Sequence, residues 1–282
     1  MSNEDTDIIG RYRDYSAVAD LDRQRVRQPR MTRFVELHSD SPLAFDSRSD
    51  VSADEKVRGR VFAVSANFIA LVSIGPILPG HSLICPRVPS PCLGDILSDA
   101  HMETEFFEFL TDTGGLLKRA FGNDLLYFEH GGSSSLRPVG SSVTHSCLHI
   151  IPGISSGIFN RLFESENAVV KKQDFGWEPV KGIQSTIYPA ATWQEYLFIG
   201  CDRASWLARI TNDQMVPPQY LRQVVGEASG NPKWDWRKWP NEDNIIEKTI
   251  KRISGELASR NAKPIAHVSP IFSSPFSLVE LD

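Results

Sequence analysis

Between Arg60 and Pro86 the chain carries three short apolar runs, RVFAVS, FIALVS and HSLICP, interrupted by Asn67, Gly75, Pro76, Pro79, Gly80 and His81. β-Branched and aromatic residues in runs of this length, bounded by turn residues, predict strands. The prolines of GPILPG fall where no ladder hydrogen bond is needed, so this segment reads as the turn between the second and third runs. A membrane-spanning helix needs about 20 uninterrupted apolar residues, and these breaks exclude one here. The expectation is a sheet protein that does not enter a membrane.

A helix follows. Ser98 and Asp99 are capping residues, and Met102, Phe106 and Leu110 recur at i, i+4 and i+8 with Glu103, Glu105 and Glu108 on other faces. Gly114-Gly115 is expected to weaken or bend it before Leu117 and Phe121. DLLYFEHGG then predicts a strand ending in glycines, SSSLRPVGSS a polar loop, and VTHSCLHII a strand closed by Pro152-Gly153. Strands, a helix and further strands joined by short connections imply an α+β fold with a mainly antiparallel sheet.

The chain divides by composition into residues 1–55, a polar N-terminal extension with one helix near 11–27; residues 56–160, the core; and residues 161–282, an α/β C-terminal extension packed on that core. In the last part YLFIG and SWLARI predict a hairpin and PPQYLRQVVGEA a helix. The run from Asn241 predicts a second helix, with Ile246, Ile250, Ile253 and Leu257 on one face and Glu247–Lys251 paired one turn apart. The Pro- and Ser-rich end reads as an extended tail.

A net charge of −5 on 282 residues argues against duplex nucleic acid as a partner, although a nucleotide needs only a local anion site. The N-terminus lacks the basic start and apolar run of a signal peptide. Cys85, Cys92, Cys147 and Cys201 are scattered and form no CxxC pair. No disulfide framework is expected from them, and a reducing, cytoplasmic setting is the simpler reading.

The chemistry concentrates in Gly140-Ser141-Ser142-Val143-Thr144-His145-Ser146-Cys147-Leu148-His149. On a strand, His145, Cys147 and His149 share one face, where a packing strand would carry aliphatic residues. Three readings are open. Cys147, flanked by imidazoles, could be held as a thiolate nucleophile. A metal could bind, but the outer histidines are about 13 Å apart along a strand, and no further ligand cluster is evident, so neither a metal nor a cofactor is expected. The third is a binding site without turnover. Glu129 and His130, at the end of the preceding strand, could act as acid or base at its rim. Gln219 and Arg222 could reach a phosphate from a helix, and Trp234, Trp236 and Trp239 could stack a base. A surface helix face and packing against the sheet are the plainer uses of these two groups.

The segment resembles the signature of the histidine triad (HIT) superfamily, in which three histidines alternate with apolar residues. His145 and His149 match the outer histidines, and Cys147 stands at the central position, which in that family attacks the α-phosphate. NFIALVSIGPILPGHSLICPR resembles the family's paired strands, ending in its Pro-Gly-His-x-Leu pattern at His81, and FEHG at 128–131 is also similar. Over roughly residues 55–155 the resemblance implies a five-stranded antiparallel sheet with a helix, and a homodimer. It also implies hydrolysis or transfer of a phosphate-linked nucleotide, or a nucleotide-binding protein that has lost turnover, or different chemistry in the same pocket. Gly140, Ser141 and Ser142 would then receive the phosphate, His149 would stabilise its oxygens, His145 would orient or protonate its neighbour, and His81 would line the pocket. Two positions depart from the pattern. Cys147 closes the phosphohistidine route, and Ser73 stands where many members carry an acidic residue for the ribose hydroxyls.

Overall fold

The computed structural model describes residues 33–34, 59–87, 90–132, 146–172, 175–181, 195–211, 216–236, 238 and 243–261. The helix expected near 11–27, the loop expected at 133–142, the first three residues of the strand expected at 143–151 and the C-terminal tail lie outside them. Its strands are β1 (Arg33–Phe34), β2 (Val61–Val64), β3 (Phe68–Val72), β4 (Ser82–Pro86), β5 (Leu125–Gly131), β6 (Leu148–Pro152), β7 (Glu178–Val180), β8 (Tyr196–Cys201) and β9 (Ser205–Arg209). They form a single sheet in the order β1-β2-β3-β4-β6-β5-β8-β9-β7. Every pairing is antiparallel. The three runs of the sequence become β2, β3 and β4, and YLFIG and SWLARI become the β8–β9 hairpin.

The expected five-stranded sheet is therefore corrected to nine strands among the described residues. The reason is the edge of β5. Residues Leu126 to Gly131 pair in unbroken register with Cys201 to Tyr196, so the C-terminal strands continue the same sheet. Backbone N–H and C=O groups on a buried strand require partners, and β8 supplies them.

Strand alternation sends side chains to two faces. One face meets α1 (Leu93–Leu97), α2 (Ala100–Phe121) and α5 (Asp243–Asn261). There Phe62, Phe68, Ile84, Tyr127, Ile150 and Phe198 pack with Phe106 and Phe109 of α2 and Ile246, Ile250 and Ile253 of α5. Asp99 caps α2 by accepting hydrogen bonds from the backbone N–H groups of His101 and Met102. Those bonds hold its carboxyl below the usual carboxylate range. The expected Gly114-Gly115 break does not occur, and α2 runs through both residues. A Cβ at Gly114 would lie 3.1 Å from Leu125 Cδ1, so glycine lets this helix lie close to β5. Glu247 and Lys251 of α5 pair at 2.5 Å.

The other face is covered over β5, β6, β8 and β9 by α3 (Ser156–Phe159) with its π-helical continuation Asn160–Glu164, by the 3-10 turn Val169–Lys171, and by α4 (Tyr220–Ser229). Over β2, β3 and β4 the same face carries a smaller cluster of Val61, Val64, Ile69, Leu71, Leu83 and Cys85, against which Cys147 packs. No helix among the described residues is long and apolar enough to cross a membrane.

Candidate functional site

The site begins in the turn between β3 and β4. Ser73 donates its backbone N–H to the His81 carbonyl at 3.0 Å, and His81 donates its own to Leu78 at 3.1 Å, which closes the Pro76–Gly80 excursion. Gly80 has φ +85°, and a Cβ there would stand 2.5 Å from Pro152, so this corner requires glycine. The turn delivers His81 onto the face shared by Leu83 and Cys85. His149 on β6, and Cys147 just before that strand, reach the same face.

His81 is fully buried, and its Nδ1 accepts the Ile77 backbone N–H at 3.1 Å. A ring nitrogen that accepts carries no proton, so the His81 proton is on Nε2. Nε2 lies 2.9 Å from His149 Nδ1 and donates to it. His149, a half-buried residue, must then carry its own proton on Nε2, the ring nitrogen away from His81. Phe128, directly across the ladder from His149, stacks on that ring with centroids 4.4 Å apart and planes 9° from parallel. Turn, partner histidine and stacked phenyl ring together fix one tautomer and one orientation.

Both rings are held neutral. Burial pushes the pKa of each well below the ordinary histidine value, and the positive charge of Arg222 lowers both further. Arg222, on α4, is buried. Its Nε donates to the Trp234 carbonyl at 3.0 Å, and Nη2 donates to the Gly75 carbonyl. It ties α4 to the turn that carries His81. The expected surface position of Arg222 is thus corrected, because the α4 face that packs on the sheet includes it. Trp236 is buried with its Cβ against Gly75, and Trp234 packs its Cβ at 2.5 Å from the Cβ position of Gly226, so both serve packing. Trp239 lies outside the described residues, and Gln219, at φ 63°, forms the left-handed N-cap of α4.

Cys147 is bonded to Cys85. The two sit one rung beyond the Ile84↔Leu148 pair, with Cα atoms 4.4 Å apart, the close spacing of a non-hydrogen-bonded antiparallel pair. The expectation of four unpaired cysteines is corrected here. Residues 62 apart in sequence gave no spacing signal, and the β4–β6 register alone made them neighbours. With its sulfur so engaged, Cys147 offers no thiolate in this state. Cys92 and Cys201 are free, and burial raises both thiol pKa values, that of Cys92 to about 12.

Glu129 does not join the histidines. It faces α1 on the opposite side of the sheet, where it accepts hydrogen bonds from Leu93 N at 2.9 Å and from the Tyr196 hydroxyl at 2.6 Å. Complete burial raises its pKa to about 7. Its neighbour His130 returns to the His149 face by alternation, and its Nε2 meets Glu195 Oε1 at 2.5 Å. The β5–β6 ladder ends at the Phe128–His149 pair, so His130 lies beyond its last rung. His145, Gly140, Ser141 and Ser142 lie outside the described residues. Among the described residues no group of three or more His, Cys, Asp or Glu could hold a metal. Phe128, and Arg222 as the source of the local field, were the contributors that sequence reasoning did not place.

No protein-family model matches the chain, and no curated protein matches it. Among solved structures it is similar to the crystal structure of the NitFhit protein of C. elegans, with a TM-score of 0.28 and 20% sequence identity over 38% of this chain. The overlap spans about a quarter of that protein's length, at 24%.

Proposed function

We propose that the His81–His149 cluster binds the phosphate of a nucleotide or nucleotide conjugate in the manner of a HIT site. One observation carries this reading: a neutral histidine with a fixed N–H donor sits in the positive field of a buried arginine. The field that disfavours a histidinium ion favours an anion in its place. A preoriented donor needs no reorganisation when a phosphate oxygen arrives. Phe128 and His81 hold the donor, Arg222 supplies charge, and the backbone of Gly140, Ser141 and Ser142 is assigned the remaining phosphate oxygens on the motif resemblance. His145 is assigned a place beside them on the same ground.

In the disulfide-bonded state the site binds without covalent turnover, since the residue at the nucleophile position has no free sulfur. Titration calorimetry with AMP, GMP, CMP and UMP tests the reading, with His149→Ala as the comparison. Binding by the native chain that weakens roughly tenfold or more in the variant, the scale of losing a charge-assisted hydrogen bond, supports it. Binding of equal strength in both, or of no nucleotide at all, overturns it.

A further inference from the structure

We propose that the Cys85–Cys147 disulfide is an exchange site for a dithiol reductant, and that its reduction delivers a nucleophilic thiol into the His149 site. The second half of this proposal rests on the nucleotide reading above; the first half does not.

Three placements point to exchange rather than to a purely structural bridge. The bond joins neighbouring strands whose pairing is already set by Ser82↔Ile150, Leu83↔His149 and Ile84↔Leu148. Breaking it leaves those rungs in place, so the site can change state while the sheet stays paired. The two cysteines also differ in exposure: Cys85 is fully buried, whereas Cys147 is half-buried. Finally, Cys147 stands two residues before His149 on the same face, where Cys85 faces it from β4. A thiol freed there emerges two residues from His149 and its Nε2–H donor, on the same face of the sheet.

The difference in exposure fixes the order of events. The reductant's thiolate attacks the Cys147 sulfur, a new S–S bond forms, and the Cys85–Cys147 bond breaks with its electron pair leaving on Cys85, which takes up a proton. The reductant's second thiol then attacks the mixed disulfide and releases Cys147. Two electrons and two protons have passed to the protein, and the dithiol has become a disulfide. The freed Cys147 thiol gives its proton to water. Its sulfur attacks the α-phosphorus of the bound nucleotide, forming an S–P bond as the P–O or P–N bond to the leaving group breaks. The leaving group departs with that electron pair and is protonated.

Two measurements on the full chain test the proposal separately. In the first, native protein is treated with dithiothreitol or glutathione, alkylated, and mapped by peptide mass spectrometry, with far-ultraviolet circular dichroism on the same samples. Reduction with an unchanged spectrum, and the glutathione adduct on Cys147, support the exchange site. Resistance to reduction until denaturant is added, or an adduct on Cys85, overturns it. Cys85→Ser serves as a second arm, in which Cys147 should accept label with no reductant present.

In the second, oxidised and reduced proteins are incubated with adenosine 5′-phosphoramidate and its guanosine counterpart and followed by intact mass. A nucleotidyl adduct on Cys147 in the reduced protein alone supports delivery of the nucleophile. Equal adduct in both states, or nucleotide binding without adduct in the reduced state, overturns it. Absence of both binding and adduct in either state overturns the nucleotide reading as well, while the first measurement still decides the exchange site.

Discussion

His81 donates from Nε2 to Nδ1 of His149 across 2.9 Å, and the backbone N–H of Ile77 decides the direction of that bond by occupying the other nitrogen of His81. A main-chain group in a turn thus sets the protonation site of a ring on a strand beyond it. The dyad works only while both rings are neutral, since a second proton would place two donors face to face.

The first prediction concerns that state. Long-range proton–nitrogen NMR should show His149 protonated on Nε2 alone, with neither His81 nor His149 titrating near 6.5, the ordinary histidine value. Replacing Arg222 by Met removes the charge that lowers His149, whose titration should then move upward. An unshifted His149, or a ring charged at pH 6, would refute the electrostatic account.

The two histidines should each lower stability in mild acid. Both folded-state pKa values lie below the unfolded value of 6.5, so above that pH neither state takes up a proton and the term vanishes. Below it the unfolded chain binds protons that the folded chain refuses, and unfolding is favoured progressively. Because Glu129 acts oppositely over the same range, the reading is made in a Glu129→Gln background: the urea midpoint should move down between pH 7 and pH 5, with less movement when His81→Gln is added.

Glu129 predicts the opposite slope. Its folded pKa of about 7 exceeds the ordinary 4.5, so its contribution is present below 4.5 and is lost as pH rises from there to about 7. Glu129→Gln removes this dependence. The variant should gain on the wild type by up to roughly 3 kcal/mol over that range, at about 1.4 kcal/mol per unit. Paired urea titrations at pH 5 and pH 8 read the difference, and equal gaps at both would refute the buried-acid assignment.

Reduction should cost stability without unfolding the sheet. A cross-link between residues 62 apart is worth at most about 4 kcal/mol in the chain-entropy model. The expected result is a lower urea midpoint with dithiothreitol and a single cooperative transition in both states. Loss of the native far-ultraviolet spectrum on reduction in buffer alone would show the bond to be indispensable to the fold.

Local patterns carried much of the fold. Alternation and turn residues place β2, β3, β4, the β8–β9 hairpin and the face shared by Cys147 and His149. Helical spacing places α2 from Asp99 and the buried face of α5 at Ile246, Ile250 and Ile253. Each of these depends on neighbours a few residues apart, and so the sequence contains them.

Tertiary structure decided what depends on register and distance. Nothing local tells β5 that its free edge takes β8, so the sheet grew past the expected five strands. Alternation alone gave Glu129 no side, and pairing put it under Tyr196 and away from the histidines. Arg222 looked like a surface residue until packing of α4 buried it beside Gly75. Cys85 and Cys147 became partners only because β4 and β6 meet in one register, and a one-residue slip would send the two sulfurs to opposite faces. The sequence determines which residues are able to react, whereas the pairing of distant strands determines which of them meet.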